Sequence, residues 1–182
     1  MPQEVNTTQP TLNLTPTTIS KFQKGGKVEM FPGVGQYNQD DYADLVSIAK
    51  IKAEIEGSTV QILPQVHYKS AEYKELFGDL IGTEYERKCP DYKVITTRGN
   101  RNYVEYESFQ RPFKGRKLQR MLKDGAVQSS KIIIDSRDSN ITGAKVRVAV
   151  NKLHRDPTFE GHINNVWIYD GRTLHLVWGA KK

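Results

Sequence analysis

Cysteine is almost absent from this 182-residue chain, whose one thiol belongs to Cys89. A single cysteine excludes an intrachain disulfide and is typical of a reducing compartment. Long apolar runs are absent as well, since no segment reaches the roughly 20 residues that cross a bilayer. Residues 1–18 lack the basic start and apolar run of a signal peptide. The sequence therefore predicts a cytoplasmic protein without a signal peptide or a membrane partner.

Phosphate-loop glycines and internal repeats are also missing. Gly33 and Gly35 follow Pro32 without the Lys-Ser/Thr pair of a phosphate-binding loop, so we interpret them as turn residues. The length predicts one domain, and the 37% apolar content is compatible with a hydrophobic core. Thr, Gln, Asn and Pro dominate the N-terminus, so residues 1–26 are expected to form a disordered tail. Residues 27–182 are expected to form a single α/β domain.

Acidic residues are fewer than basic ones, which gives a net charge of +6 and a pI of about 9.3. This excess favours an anionic partner, most simply nucleic acid. A predicted helix that follows Gly115 turns basic side chains outward, as binding to a phosphate backbone would require, although a plain solvated face would look the same. The candidate nucleic-acid-binding residues are Arg116, Lys117, Arg120, Lys123 and Lys131.

Hydrophobic periodicity predicts helices and strands in alternation after the tail. The predicted helices run from Asp40 or Asp41 to about Glu56, from Ala71 to about Phe77, from Arg116 to Lys123 with Gly125 as the stop, and from Asp138 or Ser139 to about His154. The predicted strands are Val28–Phe31, Val60–Val66, the aliphatic run Lys131–Asp135, and the hairpin pair Val166–Tyr169 and Leu174–Trp178. The alternation of valines from Val146 to Val150 would also be compatible with a strand in place of the last helix. Lys131–Asp135 is the best candidate for the centre of the sheet because it reads as buried on both faces.

A further hairpin, Cys89–Thr97 followed by Tyr103–Phe109, carries the main candidate site. Glu105 and Glu107 point to the same face because side chains two apart in a strand do so. If Thr97 lies opposite Tyr103, then Lys93 faces Glu107, and Asp91 opens the same face. A slip of one residue would separate these groups. Adjacent carboxylates repel one another unless a cation or a shared proton lies between them, or Lys and Arg partners neutralise an exposed face.

The element order and two motifs in this region resemble the PD-(D/E)XK nuclease superfamily. Pro90-Asp91 opens one hairpin strand and Glu105-Tyr106-Glu107 lies on its partner, and the stretch Gln128–Asp135 adds to the similarity. The chain looks most like the C-terminal tRNA-cleaving toxin domains of contact-dependent inhibition systems and their relatives on mobile elements. The resemblance implies a restriction-endonuclease-like core, with a mixed central sheet, flanking helices and a C-terminal β-hairpin. It also implies an immunity protein as a partner.

Carried onto this sequence, the resemblance makes Asp91 and Glu105 the ligands of Mg²⁺ or Mn²⁺ in a metal-dependent enzyme that cleaves RNA, with tRNA favoured over DNA. Glu107 stands where the family has a lysine, and a carboxylate cannot supply that positive charge. Lys93, Lys131 or the basic helix could supply it instead. Glu54, Ser108 and Gln128 are candidate supporting residues.

Two other functions stay open at this stage. A metal-independent barnase-like or colicin-like RNase would pair Glu105 or Glu107 with a histidine and an arginine. The histidines available for that role are His154, His162 and His175, and the arginines are Arg98, Arg101 and Arg147. A non-catalytic nucleic-acid-binding or assembly protein of a phage or mobile element would use the same basic helix and the tyrosine-rich hairpin.

Overall fold

The computed structural model describes residues 14–34, 41–108, 116–137 and 139–179, in which eight strands form one mixed sheet ordered as in the chain. The strands are β1 (Thr17–Lys21), β2 (Lys27–Met30), β3 (Thr59–Ile62), β4 (Tyr92–Ile95), β5 (Arg101–Glu107), β6 (Lys131–Asp135), β7 (Asn165–Tyr169) and β8 (Leu174–Trp178). The pairs β2–β3, β5–β6 and β6–β7 are parallel, and the other neighbours are antiparallel. The C-terminal ends of β3, β5 and β6 therefore lie at the same edge of the sheet as the start of β4. We call this the carboxyl edge.

In the described part of the chain, four α-helices connect the strands: α1 (Tyr42–Glu56), α2 (Ala71–Phe77), α3 (Arg116–Gln128) and α4 (Gly143–Arg155). A short 3-10 helix, Gly78–Leu80, follows α2. Ser70 caps α2 by accepting a hydrogen bond from the Tyr73 N–H at 3.2 Å, and Thr142 caps α4 by accepting one from the Lys145 N–H at 3.3 Å. Gly57 ends α1 with a φ of 65°. Within the described ranges, no helix combines the length and the apolar character needed to cross a membrane.

The two faces of the sheet are buried by different helices. Residues of α1 pack with Val60, Tyr92 and Ile133 in one core cluster. Residues of α3 and α4 pack with Ile132 and Ile134 in another cluster on the opposite face. Successive side chains of β6 thus enter different cores, which is why this strand is an uninterrupted aliphatic run. A third, smaller cluster places α2 against Leu63 and Tyr103.

The predicted α/β class, the order of the elements, the bounds of β6 and the C-terminal hairpin are confirmed. Residues 143–155 form a helix and not a strand. A restriction-endonuclease-like core remains an interpretation of the element order.

The predicted tail needs correction, because Thr17–Lys21 forms β1, which pairs with β2. Ile19 and Phe22 pack against the core beneath α1, so part of the polar N-terminal region is anchored to the sheet. Residues 1–13 lie outside the described residues.

Three element boundaries also differ from the prediction. β3 ends at Ile62, ahead of Pro64. α3 does not stop at Gly125 but continues to Gln128. The glycine has a packing role instead, because a Cβ at this position would lie only 3.1 Å from Ile132 and 3.3 Å from Glu107. α4 begins at Gly143 with Thr142 as its cap and not the predicted Ser139, whereas Asp138, the other predicted cap, lies outside the described residues.

Gly26 provides a test of how closely α1 approaches the sheet. A Cβ at this position would lie 2.0 Å from the carbonyl oxygen of Ala53, a backbone atom that cannot rotate away. We expect Gly26→Ala to lower the free energy of unfolding by about 3 kcal/mol, measured by urea denaturation. Gly78→Ala is the matched control, because no atom lies within 4 Å of its Cβ position and its φ of −55° suits alanine. Equal stability of the two variants would contradict this packing.

Candidate active site

The register of β4 and β5 decides whether the predicted acids meet. Tyr92 lies opposite Val104 and Lys93 lies opposite Tyr103, so the alignment differs by four residues from the predicted one. A shift by an even number keeps every side chain on its expected face. Continued by one residue, the alignment places Asp91 opposite Glu105, whereas Lys93 does not face Glu107 as predicted. The three acids therefore share one face, with Asp91 as the direct neighbour of Glu105.

Strand β5 changes its partner at the acids. It pairs with β4 through residues 101–104 and with β6 through residues 105–107. Beyond the end of β4, the side chain of Asp91 replaces the strand, because its Oδ2 accepts a hydrogen bond from the backbone N–H of Tyr106 at 3.0 Å. This bond fixes the Asp91 carboxyl group beside the strand that carries Glu105 and Glu107.

Asp91 is 7% exposed, and the pKa of its carboxyl group is raised to about 7. Burial is the main cause, the hydrogen bond from Tyr106 acts in the opposite direction, and the charge of Asp41 raises the pKa further. An aspartate in this setting resists ionisation unless positive charge is brought to it.

One carboxylate oxygen of Glu105 is left uncompensated. Its Oε2 is buried and has no hydrogen-bond partner among the described residues. Burial raises the pKa of Glu105 well above its usual value, the charges of Asp91 and Glu107 raise it further, and a hydrogen bond from the backbone of Asp91 acts in the opposite direction. A buried oxygen without a partner is costly in a folded protein and calls for an explanation.

Glu107 completes the group at the carboxyl edge. Its pKa is raised to about 7, first by burial and then by the charges of Asp124 and Asp91. Within the described ranges, no Lys or Arg forms a salt bridge with any of the three acids. We call Asp91, Glu105 and Glu107 the acid trio.

Hard carboxylate oxygens suit Mg²⁺ or Mn²⁺, and the partnerless Oε2 of Glu105 beside Asp91 fits a divalent cation between these two residues. In the part of the chain that the structure describes, no group of three His, Cys, Asp or Glu side chains has the arrangement of a complete metal site. Asp91 and Glu105 would thus be the protein ligands of an open site, with water or substrate completing the shell.

Lys93 lies on the same face as the acid trio but is already engaged. Its amine donates a hydrogen bond to the carbonyl of Leu76 at the end of α2 and lies 5.2 Å from the centroid of the Tyr103 ring. Burial lowers the pKa of this lysine, and the charge of Asp79 opposes that effect. Lys93 is a neighbour of the trio and not the direct partner of Glu107.

The other predicted basic residues divide between the two faces of the sheet. Lys131 donates to Asn102 at 2.7 Å, and it alternates with Ile132, the residue paired with Glu105, so it points away from the trio. Arg120 lies 3.8 Å from Asp124, whose charge acts on Glu107, so this part of α3 adjoins the trio. Lys123 pairs with Asp156 at 3.6 Å. Lys117 is half-buried on α3, and the side chain of Arg116 lies outside the described residues.

Of the supporting candidates, only Ser108 lies near the trio. Its hydroxyl donates to Asp41 at 3.3 Å, and the charge of Asp41 acts on Asp91. Glu54 is exposed near the other end of α1, about 20 Å along the helix axis from Asp41. Gln128 ends α3 beside the start of β6, away from the carboxyl edge.

A hydrogen-bonded network behind the trio was missed in the sequence. The hydroxyl of Tyr106 donates to Asp135 at 2.9 Å, and Arg137 binds both Asp135 and Asp44. Burial opposes ionisation of Asp135, but hydrogen bonds from Arg137 and Tyr106 outweigh it and lower its pKa. The usable signal was an acid at the end of a strand buried on both faces, with an arginine two residues later.

The three histidines predicted for a metal-independent mechanism do not contact the acid trio. His154 stacks with Phe159 and His162 and meets Trp178 edge-on, and His175 contacts Thr173 and Asp170. This arrangement gives no support to a metal-independent Glu–His mechanism.

No protein-family model matches the sequence, and no curated protein matches it. Among solved structures, the chain is similar to one described as a CdiA-CT/CdiI toxin and immunity complex from Burkholderia pseudomallei, with 15% identity and a TM-score of 0.47. The match covers 76% of this chain and 84% of that chain. A similarity at this level shows neither the activity nor the partner of the present chain.

The acid trio predicts an unusual dependence of stability on pH. The pKa values of about 7 for Asp91 and Glu107 exceed the values near 4 of unfolded acids, so between about pH 4 and pH 7 the folded chain keeps protons that the unfolded chain releases. Stability from this source is present at low pH and is lost as the pH rises through 7. In EDTA, we expect Asp91→Asn to gain on the order of 2 kcal/mol over wild type between pH 5 and pH 8, measured by urea denaturation.

Glu54→Gln, an exposed site on α1, is the matched control for this experiment. An identical pH dependence of Asp91→Asn and wild type would show that Asp91 is not held protonated.

Proposed function

We propose that the chain is a metal-dependent phosphodiesterase that cleaves nucleic acid, with RNA and in particular tRNA as the favoured substrate. The observation that carries the proposal is the buried, partnerless Oε2 of Glu105 beside the buried Asp91. Two acids in this setting are unfavourable for the apo protein and become favourable when a divalent cation binds between them. Mg²⁺ or Mn²⁺ is the expected cofactor.

Each residue of the trio has a role in this proposal. Asp91 and Glu105 hold the cation, and the N–H of Tyr106 keeps the Asp91 carboxyl group oriented. When bound, the cation supplies charge neutralisation at the scissile phosphate and activation of water. Glu107 has a pKa of about 7, which suits a group that accepts or donates a proton near neutral pH. In the position of the family's lysine it would contribute proton transfer and not positive charge.

Positive charge for the phosphate backbone would come from outside the trio. Arg120 is highly exposed on α3 and adjoins the trio through Asp124. Lys93 is buried and bound to the Leu76 carbonyl, so it would contribute only to the local potential and would not contact the backbone directly. The net charge of +6 favours a polyanion. An immunity protein, as the resemblance implies, would be the partner that neutralises such a nuclease.

Isosteric neutral variants give the cleanest test of the two ligands. Because Asp91 and the Oε2 of Glu105 are buried and both residues have raised pKa values, Asp91→Asn and Glu105→Gln should fold at least as well as wild type in EDTA. We expect each to lower cleavage of total tRNA by at least about a hundredfold, measured by gel electrophoresis of labelled tRNA, and the alanine variants to abolish it. Near-normal turnover by either variant would refute the assignment.

Metal dependence has a readout that does not require turnover. Mn²⁺ should raise the melting temperature of wild type but not that of Asp91→Asn, because only the folded wild type binds the ion. Cleavage should stop in EDTA and return with Mg²⁺ or Mn²⁺. Cleavage that persists in EDTA would favour a metal-independent mechanism, and RNA binding with neither cleavage nor metal uptake would favour a non-catalytic binding protein.

Arg120 tests the predicted nucleic-acid face of α3. We expect Arg120→Gln to weaken RNA binding and to make its salt dependence shallower by roughly 0.7 in the slope of log K against log salt, the contribution of about one phosphate contact on a single strand. Binding measured in EDTA across a salt series checks this. An unchanged slope would remove this helix from the interface.

A further inference from the structure

We propose that an exposed ring-and-cation stack formed by His67, Tyr68, Lys69 and Arg87 is a binding subsite for single-stranded RNA that leads the strand to the acid trio. The inference deepens the proposed nuclease function and rests on it for the identity of the strand. We call these four residues the Tyr68 stack.

The Tyr68 stack has the composition that binds bases and phosphates together. The rings of His67 and Tyr68 stack with their centroids 4.8 Å apart. The Arg87 guanidinium carbon lies 4.9 Å from the centroid of the Tyr68 ring, and the Lys69 amine lies 5.7 Å from it. All four residues are exposed, and Tyr68 retains 37% of its accessible surface. Aromatic rings and guanidinium planes are the surfaces on which unpaired bases stack, and the cations suit the backbone.

The stack is fastened to the segment that carries Asp91. The Cys89 thiol donates to the carbonyl of Val66 at 3.3 Å, and the amide of Gln65 donates to the carbonyl of Cys89 at 2.9 Å. The N–H of Leu63 donates to the carbonyl of Asp91 at 2.9 Å. The loop that follows β3 and the segment that precedes β4 therefore run side by side at the carboxyl edge.

Arg87 has a backbone conformation that arginine rarely adopts. Its φ of 72° is the only positive value of a residue other than glycine within the described ranges. Strain of this kind persists where the surrounding structure maintains it, and it is frequent at functional sites. Here it places the guanidinium group over the Tyr68 ring, four residues before Asp91.

The position of the stack complements the charge of the trio. Arg87 lies four positions before Asp91 in the chain, so their Cα atoms lie no more than about 14 Å apart. Single-strand binding sites span about 4–16 nucleotides, so one bound strand reaches both features. The trio offers no positive charge to a phosphate backbone until a cation binds, whereas Lys69 and Arg87 in the Tyr68 stack attract the backbone with or without the metal. The strand would thus be held beside the acids independently of the metal.

RNA binding measured without turnover tests the subsite. The probe is a fluorescently labelled single-stranded RNA of about 12 nucleotides, and the readout is anisotropy in EDTA. We expect Tyr68→Leu to raise Kd about tenfold, Tyr68→Phe to remain within about twofold because the ring is kept, and Arg87→Gln to raise Kd and to lower the salt slope by roughly 0.7.

Arg98→Gln is the matched charge control, because Arg98 is also exposed but lies in the β4–β5 turn, at the opposite edge of the sheet. Its Kd should remain within about twofold of wild type. If Arg87→Gln loses stability, Arg87→Gly replaces it, since glycine adopts a positive φ without strain.

The subsite is overturned if Tyr68→Leu and Arg87→Gln bind RNA as tightly as wild type, if Arg98→Gln weakens binding as much as Arg87→Gln, or if wild type does not bind the RNA. Tyr68-dependent binding together with normal cleavage by Asp91→Asn would support the subsite and refute the proposed metal site. Loss of cleavage in Asp91→Asn together with unchanged RNA binding by Tyr68→Leu would support the proposed metal site and refute the subsite.

Discussion

The hydrogen bond from the Tyr106 N–H to the Asp91 carboxyl group joins the start of β4 to β5 at the carboxyl edge of the sheet. At this point β5 leaves β4 and takes β6 as its partner, and the Asp91 side chain accepts the backbone donor that β4 no longer satisfies. A strand end that would otherwise expose an unpaired N–H becomes a fixed position for a carboxylate. The proximity of Asp91 to Glu105 follows from this change of partner.

The same residue couples the site to the rest of the fold. The hydroxyl of Tyr106 binds Asp135 at the end of β6, and Arg137 links Asp135 to Asp44 at the start of α1. In this network Arg137 pairs with both aspartates, whereas no Lys or Arg within the described ranges pairs with the trio on the other face of β5. The two arrangements assign different roles to neighbouring acids: Asp135 and Asp44 hold the elements together, while Asp91, Glu105 and Glu107 retain unused capacity for a cation or a proton.

Charge is divided along the carboxyl edge in a way that fits a polyanionic substrate. The acid trio lies between the Tyr68 stack, which precedes β4, and α3, where Arg120 adjoins Asp124. Basic groups on two sides of an acidic centre would position a phosphate backbone across it, and the centre itself would accept that backbone only with a bound cation. In the proposed function, the basic residues would bind the substrate and the acids would take part in the chemistry.

Much of the fold was predictable because its signals are local. Each segment carries its own signal in the sequence: the aliphatic run of β6 indicates a buried strand, the Asp-Gly turn before β8 a hairpin, and the apolar stripe of α1 a helix packed on one face. The order of helices and strands could therefore be predicted from the sequence. The site was predicted in part for the same reason. Alternation in β5 required Glu105 and Glu107 to share a face, and a four-residue error in the pairing still left Asp91 on that face because the error was even.

Long-range geometry determined the rest. Whether Lys93 meets Glu107 depends on hairpin register, whether Lys131 shares a face with Glu105 depends on how β6 aligns with β5, and the Tyr68 stack depends on two loops running side by side. No local pattern encodes these pairings. The sequence alone determined that acids would line one face of a basic α/β chain, since alternation and composition are properties of each segment. The tertiary structure decided which acids touch and which cations stay apart, because electrostatic contact depends on distances between segments far apart in the chain.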